Sequence, residues 1–129
     1  RDPAAICWGN YRQNFTEKRL IRYCYDLKDI VTYYNLYKNL MNFWIKEFGN
    51  KIYNLNYETL TTDQEGETKK LINYLGLQWE DDCLNPEKNQ RSVKTASSKQ
   101  VRQKVYKGSS QKWKKFEPFL EGKLDNIIN

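Results

Sequence analysis

The chain of 129 residues contains no histidine. That absence removes the commonest general base and the commonest metal ligand together. Ser-His-Asp, Cys-His and zinc mechanisms built from this chain alone are therefore excluded, and no bound metal is expected. Cysteine is scarce and odd in number: Cys7, Cys24 and Cys83 have no metal-like spacing, which predicts structural thiols and a reducing, cytoplasmic setting. No stretch approaches the roughly 20 apolar residues of a membrane helix, and the N-terminus lacks the apolar run of a secretory signal. A soluble chain with no membrane partner is the expectation. Glycine is limited to six residues, placed singly, and no Gly-x-x-x-x-Gly-Lys loop occurs, so a loop of the type that cradles phosphates after a strand is missing. There is no internal repeat or low-complexity tract. The first residue is Arg rather than Met, which predicts a chain that was processed, cloned from an internal point or read from a partial gene.

What is present is aromatic. Ten Tyr and four Trp put the capacity for burial into a few large side chains, and the length suits one domain of the usual range, roughly 50–250 residues. Asp2-Pro3 reads as a helix start, since Asp caps free N–H groups and Pro suits the first helical position; a helix over 3–14 follows. A second start at Asp26, with Asp29 three residues on, opens a helix of about 35 Å. It should end with Gly49 in a left-handed cap. Leu27, Ile30, Tyr34, Tyr37, Met41, Trp44 and Phe48 form its apolar stripe, read as core. Residues 52–58 alternate, with Tyr53, Leu55 and Tyr57 on one side, and predict the one clear strand. Its unpaired edge would favour association between copies or marginal stability.

From Asp63 the pattern predicts a capped helix with Leu71, Ile72 and Leu75, ending at Gly76, and Leu77 and Trp79 anchor the loop beyond. Residues 80–90 read as an acidic turn with Pro86. Ser97 and Ser98 would cap a short helix, Gly108 would break it, and Ser109 or Ser110 would start a last helix carrying Trp113 and Phe116, which Pro118 interrupts or restarts. The fold class expected is mainly α with one or two short β-strands.

Charge is unevenly spread. Ten basic and no acidic residues lie between Lys88 and Lys115, while the rest of the chain carries 12 basic and 16 acidic, a net −4 against +6 overall. An anionic partner or a solvated face both satisfy such a segment. Ser92, Thr95, Ser97, Ser98, Ser109 and Ser110 among the cations favour a phosphate site, because hydroxyls supply directed donors. Nucleotide, nucleic acid and acidic peptide stay open on charge alone; in a nucleic-acid module, Tyr106 and Trp113 would be the stacking platforms.

Four segments in order resemble sulfotransferases. Tyr53–Leu60 (YNLNYETL) and Leu75–Trp79 (LGLQW) are similar to that family's strand, Tyr-Glu-x-Leu turn and Leu-Gly-x-x-Trp exit. Ser92–Val101 (SVKTASSKQV), with Gln103–Tyr106 and Lys112-Trp113, is similar to its C-terminal nucleotide-binding loop. Arg1-Asp2-Pro3 and the helix after it resemble the motif for the donor's 3′-phosphate. The likeness is nearest to bacterial enzymes related to protein-tyrosine sulfotransferases. It implies that residues 1–129 are the C-terminal portion of an α/β, P-loop-like sulfotransferase domain without its 5′-phosphosulfate loop, and that the fragment is inactive alone.

The resemblance also implies the donor, 3′-phosphoadenosine 5′-phosphosulfate, an acceptor hydroxyl and residue roles. Arg1 would hold the 3′-phosphate through a bidentate guanidinium contact. The family has Ser where this chain has Gly9 and a second Arg where it has Gln13, so two donors of that grip are altered; Arg12 lies on another face. Tyr57 would lie near the nucleotide, and Ser92 would donate to the sulfuryl oxygens as charge builds in the transition state, the catalytic role. Lys94, Thr95, Ser97, Gln100 and Val101 would wrap the adenosine and phosphates, with Lys107 beyond them. A nucleotide is thus favoured over nucleic acid as partner.

Overall fold

The side chain of Asp2 opens the first helix, its Oδ1 accepting the Ala5 N–H at 2.7 Å, with Pro3 at the first helical position. This helix, α1 (Pro3–Arg12), stops short of the expected end because Gln13 turns extended and its N–H closes on Asn10. The computed structural model describes residues 1–15, 19–94 and 97–128. These fall into two compact units, Arg1–Ile52 with Gly108–Asn129, and Tyr53–Lys107.

In the first unit, α2 (Leu27–Phe48) is capped by Asp26, whose Oδ1 accepts the N–H groups of Lys28 at 2.7 Å and Asp29 at 3.3 Å. Gly49 is not the left-handed cap expected. Its φ is −53°, because the helix tightens into a 3-10 turn, Gly49–Lys51, and no reversal is required there. Cys7 of α1, Leu27, Ile30, Val31 and Tyr34 of α2, and Leu120 and Leu124 near the C-terminus form the buried core. Trp8 and Trp113 pack against it. The Asn35 amide fastens the C-terminal segment, donating to the Asn126 carbonyl at 2.9 Å and accepting the Ile128 N–H at 3.0 Å.

The apolar stripe of α2 is core only in part. Leu27, Ile30 and Tyr34 are buried, but Tyr37, Trp44 and Phe48 are 49%, 40% and 44% exposed. The last helix is also different: Gly108 breaks the chain with φ 82°, and short 3-10 segments follow at Ser109–Gln111 and Lys114–Phe119, the latter containing Pro118. Proline lacks the N–H that a regular ladder needs, and 3-10 helix is used in such short pieces.

The second unit corrects the fold class. Among the described residues the structure is helical, with no strand or sheet, so neither the 52–58 strand nor an α/β layer is present. Ile52 is extended (φ −118°, ψ 114°), but alternation reports extended chain and cannot supply the ladder partner that makes a strand. Asn56 then caps α3 (Tyr57–Thr62) by accepting the Thr59 N–H at 2.8 Å, which makes Tyr57 and Glu58 helical. Asp63 caps α4 (Gln64–Tyr74) through the Gly66 N–H at 3.0 Å. At its far end Gly76, φ 67°, sits in a left-handed turn; the Gly76 N–H returns to Asn73 and that of Leu77 to Ile72, the paired bonds of a Schellman cap.

Leu77 is 59% exposed and does not anchor the following loop. Trp79 does, its indole N–H donating to Asp81 at 3.0 Å while Lys69 lies 5.2 Å over its ring. Two 3-10 turns, Asp81–Leu84 and Pro86–Lys88, hold the acidic stretch. Ser97 and Ser98 give no side-chain cap; Lys99 occupies the cap position of a single 3-10 turn, Gln100–Arg102. Among the described residues, no helix is long and apolar enough to cross a membrane.

Candidate nucleotide site

Arg1 and Gly9 belong to the first unit, and Tyr57, Ser92, Lys94, Ser97, Gln100, Val101 and Lys107 to the second. Thr95 lies outside the described residues. Arg1 is exposed immediately before the capped start of α1. Gly9 is on the exposed side of that helix, and a Cβ added there would meet nothing within 4 Å. The departure from serine is therefore not enforced by packing.

Tyr57 is the first residue of α3 and half-buried. Ser92, Lys94, Ser97, Gln100, Val101 and Lys107 are all exposed. The structure unites three of them in one turn, where the Ser97 carbonyl accepts the N–H groups of Gln100 at 2.8 Å and Val101 at 3.1 Å.

Described residues on either side of Ser92 and Ser97 are joined by a contact that inspection of the sequence missed. The Arg102 guanidinium donates to the backbone carbonyl of Arg91, and the turns Pro86–Lys88 and Gln100–Arg102 lie side by side. Compact loops with adjoining ends are frequent carriers of function. The closure gathers Lys88, Arg91, Lys99 and Arg102 near its neck, and no acidic residue lies between Lys88 and Lys107 in sequence. Cations collected in this way are stabilised by an anion among them. The pairing spans 11 residues, outside the reach of helix or strand periodicity, so no sequence signal pointed to it.

A separate groove of about 460 Å³ in the first unit contains none of these residues; it lies between α1 and α2 beside Tyr23. Among the described residues, no group of three or more carboxylates or thiols is placed to hold a metal ion.

The profile described as "Sulfotransferase family" matches residues 1–81, from the helix start at Arg1-Asp2-Pro3 through the Tyr57 turn and the Trp79 exit. The chain belongs to the sulfotransferase family. This sulfotransferase-family chain is also 37% identical over 121 residues to an uncharacterized protein of Aquifex aeolicus (strain VF5), a match covering 93% of the chain. It spans only 16% of that relative's length. No solved structure matches it.

Proposed function

We propose that the chain forms the 3′-phosphate and adenosine side of a 3′-phosphoadenosine 5′-phosphosulfate site, within a longer bacterial sulfotransferase related to the protein-tyrosine enzymes. In that reading residues 1–129 are the C-terminal portion of one catalytic domain. The observation that carries the proposal is family membership over residues 1–81, which include Arg1, Gly9 and Tyr57. The closed basic loop around Ser92, which follows the matched region, supports extending it to the C-terminal residues.

Sulfuryl transfer depends on placement and on stabilising charge as it moves. The acceptor hydroxyl oxygen forms a bond to sulfur, the bond from sulfur to the phosphate oxygen breaks, and 3′,5′-diphosphoadenosine departs. A base takes the hydroxyl proton. Arg1 holds the 3′-phosphate through its two parallel N–H donors, and Tyr57 borders the nucleotide. Ser92 donates a hydrogen bond to the sulfuryl oxygens, where negative charge accumulates. Lys94, Thr95, Ser97, Gln100, Val101 and Lys107 surround the adenosine and its phosphates. The phosphosulfate loop and the base come from a region outside these residues, so the chain binds nucleotide but does not turn over alone.

Titration with 3′,5′-diphosphoadenosine, followed by calorimetry and amide NMR, tests this reading. Saturable 1:1 binding is expected, weakened at least tenfold when Arg1→Ala and Ser92→Ala are combined. Unchanged affinity in the double variant overturns the residue assignment. Transfer from radiolabelled donor by the purified chain overturns its dependence on another region. Binding to single-stranded nucleic acid that falls by roughly 0.7 log units per log unit of salt for each phosphate engaged, without nucleotide binding, replaces the nucleotide by a polymer.

A further inference from the structure

Across 86–107 no described side chain is buried, so packing does not set the course of the backbone there. Directed hydrogen bonds do. Asn89 ends the turn Pro86–Lys88, its N–H returning to the Pro86 carbonyl at 3.2 Å, and its Oδ1 accepts the Arg91 N–H at 2.8 Å. On the other side of the same residue, the Arg91 carbonyl accepts from the Arg102 guanidinium. Both backbone groups of Arg91 are thus held by side chains.

The second of these bonds falls on the peptide unit that carries Ser92. The carbonyl of Arg91 and the N–H of Ser92 belong to one planar group, so a donor fixed on that oxygen sets the plane from which the Ser92 side chain leaves. Arg102 is itself fixed by its own turn, Gln100–Arg102, where its N–H returns to the Lys99 carbonyl at 3.4 Å and the Gln103 N–H to that of Gln100 at 3.0 Å. The guanidinium therefore ties the approach to Ser92 to the turn bearing Ser97, Gln100 and Val101. Among the described residues Arg102 makes no ion pair. A carboxylate would compete with the neutral carbonyl for its donors, and none lies between Lys88 and Lys115 in sequence.

We propose that Arg102 is a positioning residue, which acts through the Arg91 carbonyl to set Ser92 against the turn that carries Ser97, Gln100 and Val101. The inference rests on the proposed function for what Ser92 contacts, and it adds a residue to which that reading gives no role. Arg102 does not touch the nucleotide here. Its planar fork holds a fixed direction towards the acceptor, which the mobile point charge of a lysine does not.

Amide and carbonyl NMR on the full chain, without nucleotide, tests the hold on Ser92 first. Arg102→Ala should shift the Arg91 carbonyl carbon and the Ser92 amide while leaving the amides of α4 in place. Lys104→Ala, which removes the same charge two residues on, should not move Ser92. If Arg102→Ala disturbs α4 as well, Arg102→Lys, which keeps the charge and the alkyl stem, is read instead, with the shift confined to residues 91–93. Calorimetry with 3′-phosphoadenosine 5′-phosphosulfate then tests the consequence. Arg102→Ala should weaken binding about fivefold when Ser92 is present and less than about twofold when Ser92 is already alanine, because the two act as one unit. Unmoved Ser92 resonances, an equal shift from Lys104→Ala, or disturbance of α4 by both Arg102 variants overturns the inference. Equal losses of affinity in the two backgrounds also overturn it, since Arg102 would then meet the ligand itself. A Ser92 shift on Arg102→Ala in a chain that binds no nucleotide overturns the proposed function and leaves the hold on Ser92 standing.

Discussion

Asp26 shows how far a single residue can be read from its neighbours. A capping carboxylate acts within three residues of chain, so its role is legible in sequence, and the 2.7 Å contact with the Lys28 N–H matches that expectation. Asp26→Ala should cost about 1 kcal/mol in urea unfolding, while Asp26→Asn, which keeps an acceptor oxygen, should cost less than half as much. Cys7 depends instead on tertiary burial, which moves its thiol pKa from 9.0 up to about 11. The neutral thiol is favoured by folding, so its contribution is fully present below pH 9 and is lost as pH rises through about 11. Alkaline unfolding midpoints should therefore fall across that window, and Cys7→Ala should flatten the fall. At pH 8, a thiol reagent should modify half-buried Cys83 well before buried Cys7 and Cys24. Gly9 belongs to this scale as well. Open space around its Cβ position allows Gly9→Ser without a clash. If Arg1 grips the 3′-phosphate, the added hydroxyl should raise affinity for 3′,5′-diphosphoadenosine severalfold, measurable by calorimetry.

Elements are legible where one periodicity decides them and obscure where a partner must. The starts of α1, α2 and α4 follow from Asp2, Asp26 and Asp63, because each cap is local. Residues 52–58 misled because their alternation describes a conformation, whereas a strand is a relation between two segments. The aromatic stripe misled for a related reason: spacing reveals that a face is apolar but not what covers it. Leu36, Leu40 and Phe43 lay off the expected stripe, and this surplus was the available signal for a second face. Substitution should separate the two faces. Ile30→Ala, at a site 2% exposed, should cost about 2–5 kcal/mol of stability. Leu36→Ala, at a site 63% exposed, should cost under about 1 kcal/mol. Comparable losses at both positions would show that the second face is already covered within one chain.

Among the described residues of the whole molecule, the buried apolar side chains all lie in one unit. Ala5, Cys7, Cys24, Leu27, Ile30, Val31, Tyr34, Leu120 and Leu124 belong to the first unit, and among the described residues of the second only Glu67 is buried. Composition could not reveal this division, since aromatic and aliphatic residues run through both. It bears on the proposed site, because Ser92, Lys94, Ser97, Gln100, Val101 and Lys107 lie in the unit that removes little apolar surface from water. Such a unit gains little from the hydrophobic term to offset the entropy of ordering its chain. It should open locally at far lower free energy than the core of α2. Hydrogen exchange should show this as slow amides at residues 30–34 and fast ones across 81–94 and 97–107. Added 3′,5′-diphosphoadenosine should then slow exchange around residues 91–102 by the factor that its free concentration over Kd predicts. If an anion relieves the repulsion among the cations of that segment, as the proposed site requires, ordering and binding become one event. Protection already complete without nucleotide would mean that the loop is held by its own contacts, the Arg102–Arg91 closure first among them, and would leave its excess charge without a role in folding.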